Sequence, residues 1–249
     1  MEVVVNKLLI RYDVKGQGPA LLLLHGWGDS AAGLKELQVR LSSKYKVIAV
    51  DLPGFGLSEG PQEAWDLSNY ASFLGALVSK LSIGKLHAVI GHSNGGALAI
   101  YAIATGKLKA DKLVLIAAAG IRSGRTVRRF IFLVLAKAGK VLTIWLPRRY
   151  RIKLRQRLYG AAGSDMLAVP TLEQTFKKTV RQDVKAEAAK LNLPTLLIYA
   201  HGDQAVPIEY GQRYHELIKG STLEVIDSPD HFIHRAEPER VSRLIEEFL

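Results

Sequence analysis

Seven short apolar runs separated by turn residues, with helical spacing between most of them, constrain this chain to a layered α/β fold. The runs are Val3–Tyr12, Ala20–Leu24, Lys46–Val50, Leu86–Ile90, Lys112–Ala117, Thr195–Tyr199 and Leu223–Ile226. Leu21-Leu22-Leu23-Leu24 and Leu113-Val114-Leu115-Ile116 show no polar alternation. Such strands bury both faces, as parallel strands do when helices cover each side of their sheet. Three-to-four apolar spacing predicts helices at Ala32–Ser43, Leu67–Leu81, Gly95–Thr105, Ile208–Ile218 and Pro238–Leu249. The turn Gly16-Gln17-Gly18-Pro19 predicts that Val3–Ile10 and Ala20–Leu24 pair as an antiparallel hairpin at one sheet edge.

The rhythm breaks between Ala118 and Leu191, where helical patterns run on without a convincing strand. A connection this long exceeds a simple strand-to-helix link and reads as an inserted helical lid. The expected organisation is a core of residues 1–120 and 192–249 with a lid of residues 121–191.

With 249 residues, 48% of them hydrophobic, the chain can bury a sizeable core as one folding unit. It has no cysteine, which excludes disulfides, thiolate catalysis and thiolate-bound metals. The early acid in Met1-Glu2-Val3 argues against a secretion signal, so the expected location is cytoplasmic. The net charge of +11 is local: thirteen Lys and Arg residues and no acid lie between Lys112 and Ser164, and the remainder is slightly acidic.

Gly91-His92-Ser93-Asn94-Gly95 stands between an apolar run and a helical one, the context that gives a G-x-S-x-G sequence chemical meaning. A sharp strand-to-helix turn strains the serine backbone and leaves little room for neighbouring side chains, which the glycines accommodate. Ser93 is therefore the candidate nucleophile, and it needs a base, an orienting acid and donors for an oxyanion. His231 follows the Leu223–Ile226 run and is the candidate base, with His234 as its rival. Asp203 follows Thr195–Tyr199 and is the candidate acid. Asp227 and Asp230 compete with it, but both lie close to His231 in sequence.

In His25-Gly26-Trp27-Gly28, the glycines allow a tight loop after a strand, so the backbone N–H groups of Trp27 and Asn94 are the candidate oxyanion donors. On its own, His25-Gly26 could simply turn the chain. The other histidines, His25, His87, His92, His201 and His215, have no spacing that suggests a metal site, and neither metal nor cofactor is expected.

The chain order Ser93, Asp203, His231 is that of the α/β-hydrolase triad. With His25–Gly28, the segment Asp51-Leu52-Pro53-Gly54-Phe55-Gly56-Leu57-Ser58 and the terminal helix, the sequence resembles the α/β-hydrolase superfamily over nearly its whole length. The resemblance implies an eight-stranded, mostly parallel sheet with a helical lid after the sixth strand. Serine as nucleophile separates the chain from the haloalkane dehalogenases and epoxide hydrolases of the superfamily, which use aspartate. The expected activity is hydrolysis of carboxylic esters with small to medium acyl chains, and of lactones, through an acyl-enzyme. A C–C bond hydrolase with the same triad is the enzymatic alternative. The His25–Gly28 loop and the basic lid are also similar to biotin-pathway esterases that cleave a methyl ester on an acyl carrier protein, and Asn94 departs from the Met or Leu common after the nucleophile in such sequences.

Phe130–Ala136 and Leu142–Pro147 are apolar stretches of the basic segment, and the expected acyl-pocket lining is Trp27, Phe130, Leu133 and Trp145. The bland account of this segment is a lid helix with its cations in water. An anionic membrane surface or an acidic protein partner is the alternative. Nucleic acid is not expected, because aromatic residues are not interleaved with the cations.

Overall fold

The computed structural model describes residues 1–122, 169–179 and 182–249. Eight strands form one sheet: β1 (Glu2–Val5), β2 (Leu8–Lys15), β3 (Ala20–Leu24), β4 (Lys46–Val50), β5 (Leu86–His92), β6 (Ala110–Ile116), β7 (Thr195–Ala200) and β8 (Ser221–Ile226). Their order is β1-β2-β4-β3-β5-β6-β7-β8. The pairs β1·β2 and β2·β4 are antiparallel and all others are parallel.

The described helices are α1 (Lys35–Leu41), α2 (Leu67–Lys80), α3 (Asn94–Ala104), α4 (Glu173–Thr179), α5 (Lys185–Ala188), α6 (Ile208–Leu217), α7 (Ile233–Ala236) and α8 (Pro238–Phe248). They cover both sheet faces, as the unalternated strands require. Leu22, Leu24, Ile48 and Val50 point into a cluster with α2, α3 and α6, while Leu21, Leu23, Val47 and Ala49 point into another with α1, α7 and α8.

The edge hairpin is not the expected one. The first apolar run is itself folded in two at Asn6 and Lys7, which both take positive φ (51° and 68°), so β1 pairs with β2. Two successive residues of positive φ give a turn whose twist suits a two-residue hairpin. Strand β2 then pairs with β4, not with β3, and β3 lies between β4 and β5. The Gly16–Pro19 turn therefore carries the chain past β4 rather than into a neighbouring strand. An all-apolar strand such as β3 is better accommodated inside the sheet than near its edge.

Of the expected lid, residues 123–168, 180 and 181 lie outside the described residues. Its two stems run side by side: the Val184 N–H donates to Gly120 O (2.9 Å) and the Arg122 N–H to Asp183 Oδ2 (3.0 Å). Val184, Ala188 and Leu191 are buried in the α2–α3 cluster. No helix among the described residues is long and apolar enough to cross a membrane.

Candidate active site

Strand β5 ends at His92 and α3 begins at Asn94, leaving Ser93 alone at the turn with φ 52° and ψ −118°. A non-glycine residue in that region is strained and persists only where its surroundings fix it. Here the glycines make the turn possible. A Cβ on Gly91 would lie 2.6 Å from Gly95 O, and one on Gly95 would lie 2.6 Å from His25 O. The Ser93 N–H donates to Ile116 O (3.0 Å), and Ser93 O accepts from the N–H groups of Gly96, Ala97 and Ala119, which anchors the elbow to β6 and its loop.

The loops after β7 and β8 bring the other two candidates to this turn. The His231 Nδ1–H donates to Asp203 Oδ2 at 2.6 Å, and His231 Nε2 accepts from the Ser93 hydroxyl at 3.0 Å. Asp203 is buried, and its other oxygen accepts the N–H groups of Ala205 (2.7 Å) and Val206 (2.9 Å). Three donors thus compensate a carboxylate removed from water. Asp227 and Asp230 are exposed, and Asp230 bonds the Phe232 N–H instead.

On the opposite side, the His25–Gly28 loop passes against the elbow: a Cβ on Gly26 would sit 3.2 Å from Ser93 Cβ. Asn94 opens α3, so its N–H has no intrahelical acceptor. Neither that N–H nor the Trp27 N–H has an acceptor among the described residues. His25 braces this loop. Its Nε2 accepts the Leu52 N–H (3.0 Å), so the proton resides on Nδ1, which donates to Gly26 O (2.7 Å). Burial pushes the His25 pKa below its usual value, which keeps that neutral form.

The Trp27 ring packs edge-on against Phe55 (4.9 Å between centroids) and Phe176 (5.0 Å). Phe130, Leu133 and Trp145 lie outside the described residues. Nothing in the sequence marks Phe55 and Phe176 as neighbours of Trp27. Phe55 stands in the Asp51–Ser58 segment, whose turn is held by Asp51 accepting the Ala31 and Leu57 N–H groups (2.7 and 2.8 Å). Phe176 is on α4, within the stretch read as lid; spacing alone gives no sign that it reaches Trp27.

His234 is not the surface residue its place at a helix entry suggests. It is buried, and its ring lies 4.5 Å from that of His92. The His92 Nε2–H donates to the carbonyl of His231 (3.1 Å), tying the nucleophile turn to the loop of the candidate base. Burial lowers the pKa of both rings, His92 well below the usual value and His234 to about 4. His87 stacks on Tyr45, His215 bonds Ser221 and His201 is exposed.

This chain belongs to the α/β-hydrolase family: the family model for the alpha/beta hydrolase fold matches residues 19–238. It is a hydrolase of that family. Among its relatives, an uncharacterized hydrolase of Bacillus subtilis, YugF, is 28% identical over 98% of this chain and 94% of its own length. A 2-hydroxy-6-oxononadienedioate/2-hydroxy-6-oxononatrienedioate hydrolase of Pseudomonas putida is 25% identical over 97% and 92%. Among solved structures, a meta-cleavage product hydrolase from Pseudomonas fluorescens superposes with a TM-score of 0.76 at 26% identity, covering 100% of this chain and 96% of that one. An esterase from Exiguobacterium antarcticum superposes with a TM-score of 0.78 at 22% identity, over 99% and 98%, and that likeness concerns the fold.

Proposed function

We propose that the protein is a serine hydrolase that cleaves carboxylic esters of small to medium acyl chains, lactones included, through an acyl-enzyme on Ser93. The observation that carries this reading is the unbroken chain from Ser93 Oγ through His231 to Asp203, at 3.0 and 2.6 Å. As Ser93 Oγ attacks the ester carbonyl, its proton passes to His231 Nε2, while Asp203 holds the ring's tautomer and stabilises the cation. The negative charge on the former carbonyl oxygen is received by the N–H groups of Trp27 and Asn94. Each such donor contributes roughly 3 to 4 kcal/mol to transition-state stability. The C–O bond then breaks and His231 returns the proton to the departing alcohol. Water, deprotonated by the same ring, attacks the acyl carbon and releases Ser93 and the acid. Trp27, packed against Phe55 and Phe176, forms one wall of the acyl site. None of these steps uses a cofactor. A lactone differs only in that acid and alcohol leave as one molecule.

A second reading, hydrolysis of a C–C bond beside a ketone, is favoured by the Pseudomonas relative and the meta-cleavage product hydrolase structure. The basic run between Lys112 and Ser164 would serve either reading by docking an anionic lipid surface or an acidic carrier protein bearing the ester. The test is hydrolysis of p-nitrophenyl esters from acetyl to palmitoyl, with γ-lactones and a meta-cleavage dienoate in parallel, by wild type and Ser93→Ala. A short-chain optimum lost in Ser93→Ala supports the esterase. Turnover of the dienoate alone transfers the assignment to C–C hydrolysis.

A further inference from the structure

We propose that Asp29, His92 and His234 form a binding site for a divalent transition-metal ion, Zn(II) above all, directly behind the catalytic turn. One ligand atom from each of the three side chains lies within 4.8 Å of the others. They come from three separate segments, the loop after β3, the end of β5 and helix α7, so no sequence spacing announces them.

The hydrogen bonding of the two rings points to an electrophile between them. His231 O can only accept, so the proton of His92 must be on Nε2, leaving Nδ1 with a bare lone pair. That Nδ1 is buried and has no partner among the described residues, and both nitrogens of His234 lack a hydrogen bond of good geometry, although the Gly33 backbone acts on that ring. Buried polar atoms in folded proteins are almost always satisfied, and three orphaned nitrogens on two touching rings form a concentrated exception. Two neutral imidazoles and a carboxylate make a donor set suited to Zn(II) and its neighbours in the first transition row, with positions left for water.

The surroundings match what metal ligands require. A ligating histidine donates its other N–H to a carbonyl or carboxylate, as His92 does to His231 O. The ligating carboxylate is itself held: Arg235 bonds Asp29 Oδ2 at 2.5 Å and Gly33 O at 3.0 Å. Gly33 makes room for that pair, since a Cβ there would collide with both the guanidinium and the carboxylate. The Asp29 side chain keeps 12% of its surface exposed, so an ion can reach its carboxylate from solvent. Ligand bonds of about 2.1 Å require the three donors to close to roughly 3 to 3.5 Å of one another. The His234 ring, which interacts with the Gly33 backbone but makes no hydrogen bond of good geometry, is the part free to turn inward.

The experiment uses the full chain stripped with chelator and titrated with Zn(II) alone or Co(II) alone. We expect one equivalent to bind, raising Tm by roughly 5 to 10 °C at a hundredfold excess over Kd. Asp29→Asn and His234→Leu, which is close to histidine in volume, should each weaken binding by at least the roughly tenfold that losing an outer-shell partner costs. The Co(II) form of the wild type should show two paramagnetically shifted imidazole N–H signals, a readout that needs no variant to fold. Absence of stoichiometric binding, equal binding in both variants, or a Co(II) spectrum without those two signals would overturn the site.

Discussion

Each catalytic candidate is legible at the scale of single residues because its chemistry requires a particular neighbour. Ser93 needs glycines around it and has them; His231 needs an acid at Nδ1 and finds Asp203 at 2.6 Å. Replacing Asp203 with Asn should lower kcat on an activated ester by about 10⁴, because the amide no longer fixes the tautomer that accepts the serine proton. The burial of His25 gives a second prediction. Its pKa is lowered by folding, so between the usual histidine value and the lowered one the unfolded chain binds more protons, and stability must rise with pH. Acidification from pH 7.5 to 5 should therefore lower the wild-type Tm by more than that of His25→Gln, whose side chain does not titrate, when both are melted in chelating buffer. Equal slopes would show that His25 is not held neutral.

At the scale of elements, local pattern and local contact agree where a segment is decided by its own sequence. Helices α2, α3, α6 and α8 begin and end within a residue or two of expectation. The acid at Asp66 caps α2 by accepting the Asn69 N–H at 3.0 Å, and Pro238 opens α8. Pairing was less legible. The hairpin expected between the first run and Ala20–Leu24 depended on which strand lies beside which, and the turn residues cannot specify that. Asn6 and Lys7 carry no glycine to mark their positive φ. The grouping of Asp29, His92 and His234 was hidden for a related reason, since it exists only after three loops meet. The elbow supplies the test at this scale. Gly95→Ala places a methyl group 2.6 Å from His25 O, and such overpacking should cost about 1 to 3 kcal/mol while activity falls, because the same atoms set the loop of the candidate oxyanion donor Trp27. Denaturant unfolding and ester turnover measured on one sample check both.

Across the whole molecule, the sheet separates two apolar clusters, and the candidate catalytic residues gather where the loops after β3, β5, β7 and β8 meet. Ligands of open α/β sheets bind at this carboxyl edge. Helix α4 reaches the same edge, bringing Phe176 to Trp27, while the Trp65 backbone N–H donates to Thr175 Oγ1 (3.1 Å). The two clusters should act independently. Leu74→Ala on α2 and Ile245→Ala on α8 bury into opposite faces, and each should cost about 2 to 5 kcal/mol. The double variant should lose the sum to within about 0.5 kcal/mol. A clear departure from additivity in urea unfolding would mean that the sheet transmits packing changes from one face to the other. The proposed chemistry turns on one oxygen atom, Ser93 Oγ, and peptide mapping after treatment with a fluorophosphonate, in which the attacking serine displaces fluoride, reads that atom. The expected result is a single adduct on Ser93, no adduct in Ser93→Ala, and much slower labelling in His231→Ala. Labelling at another residue, or ester turnover undiminished in Ser93→Ala, would contradict it.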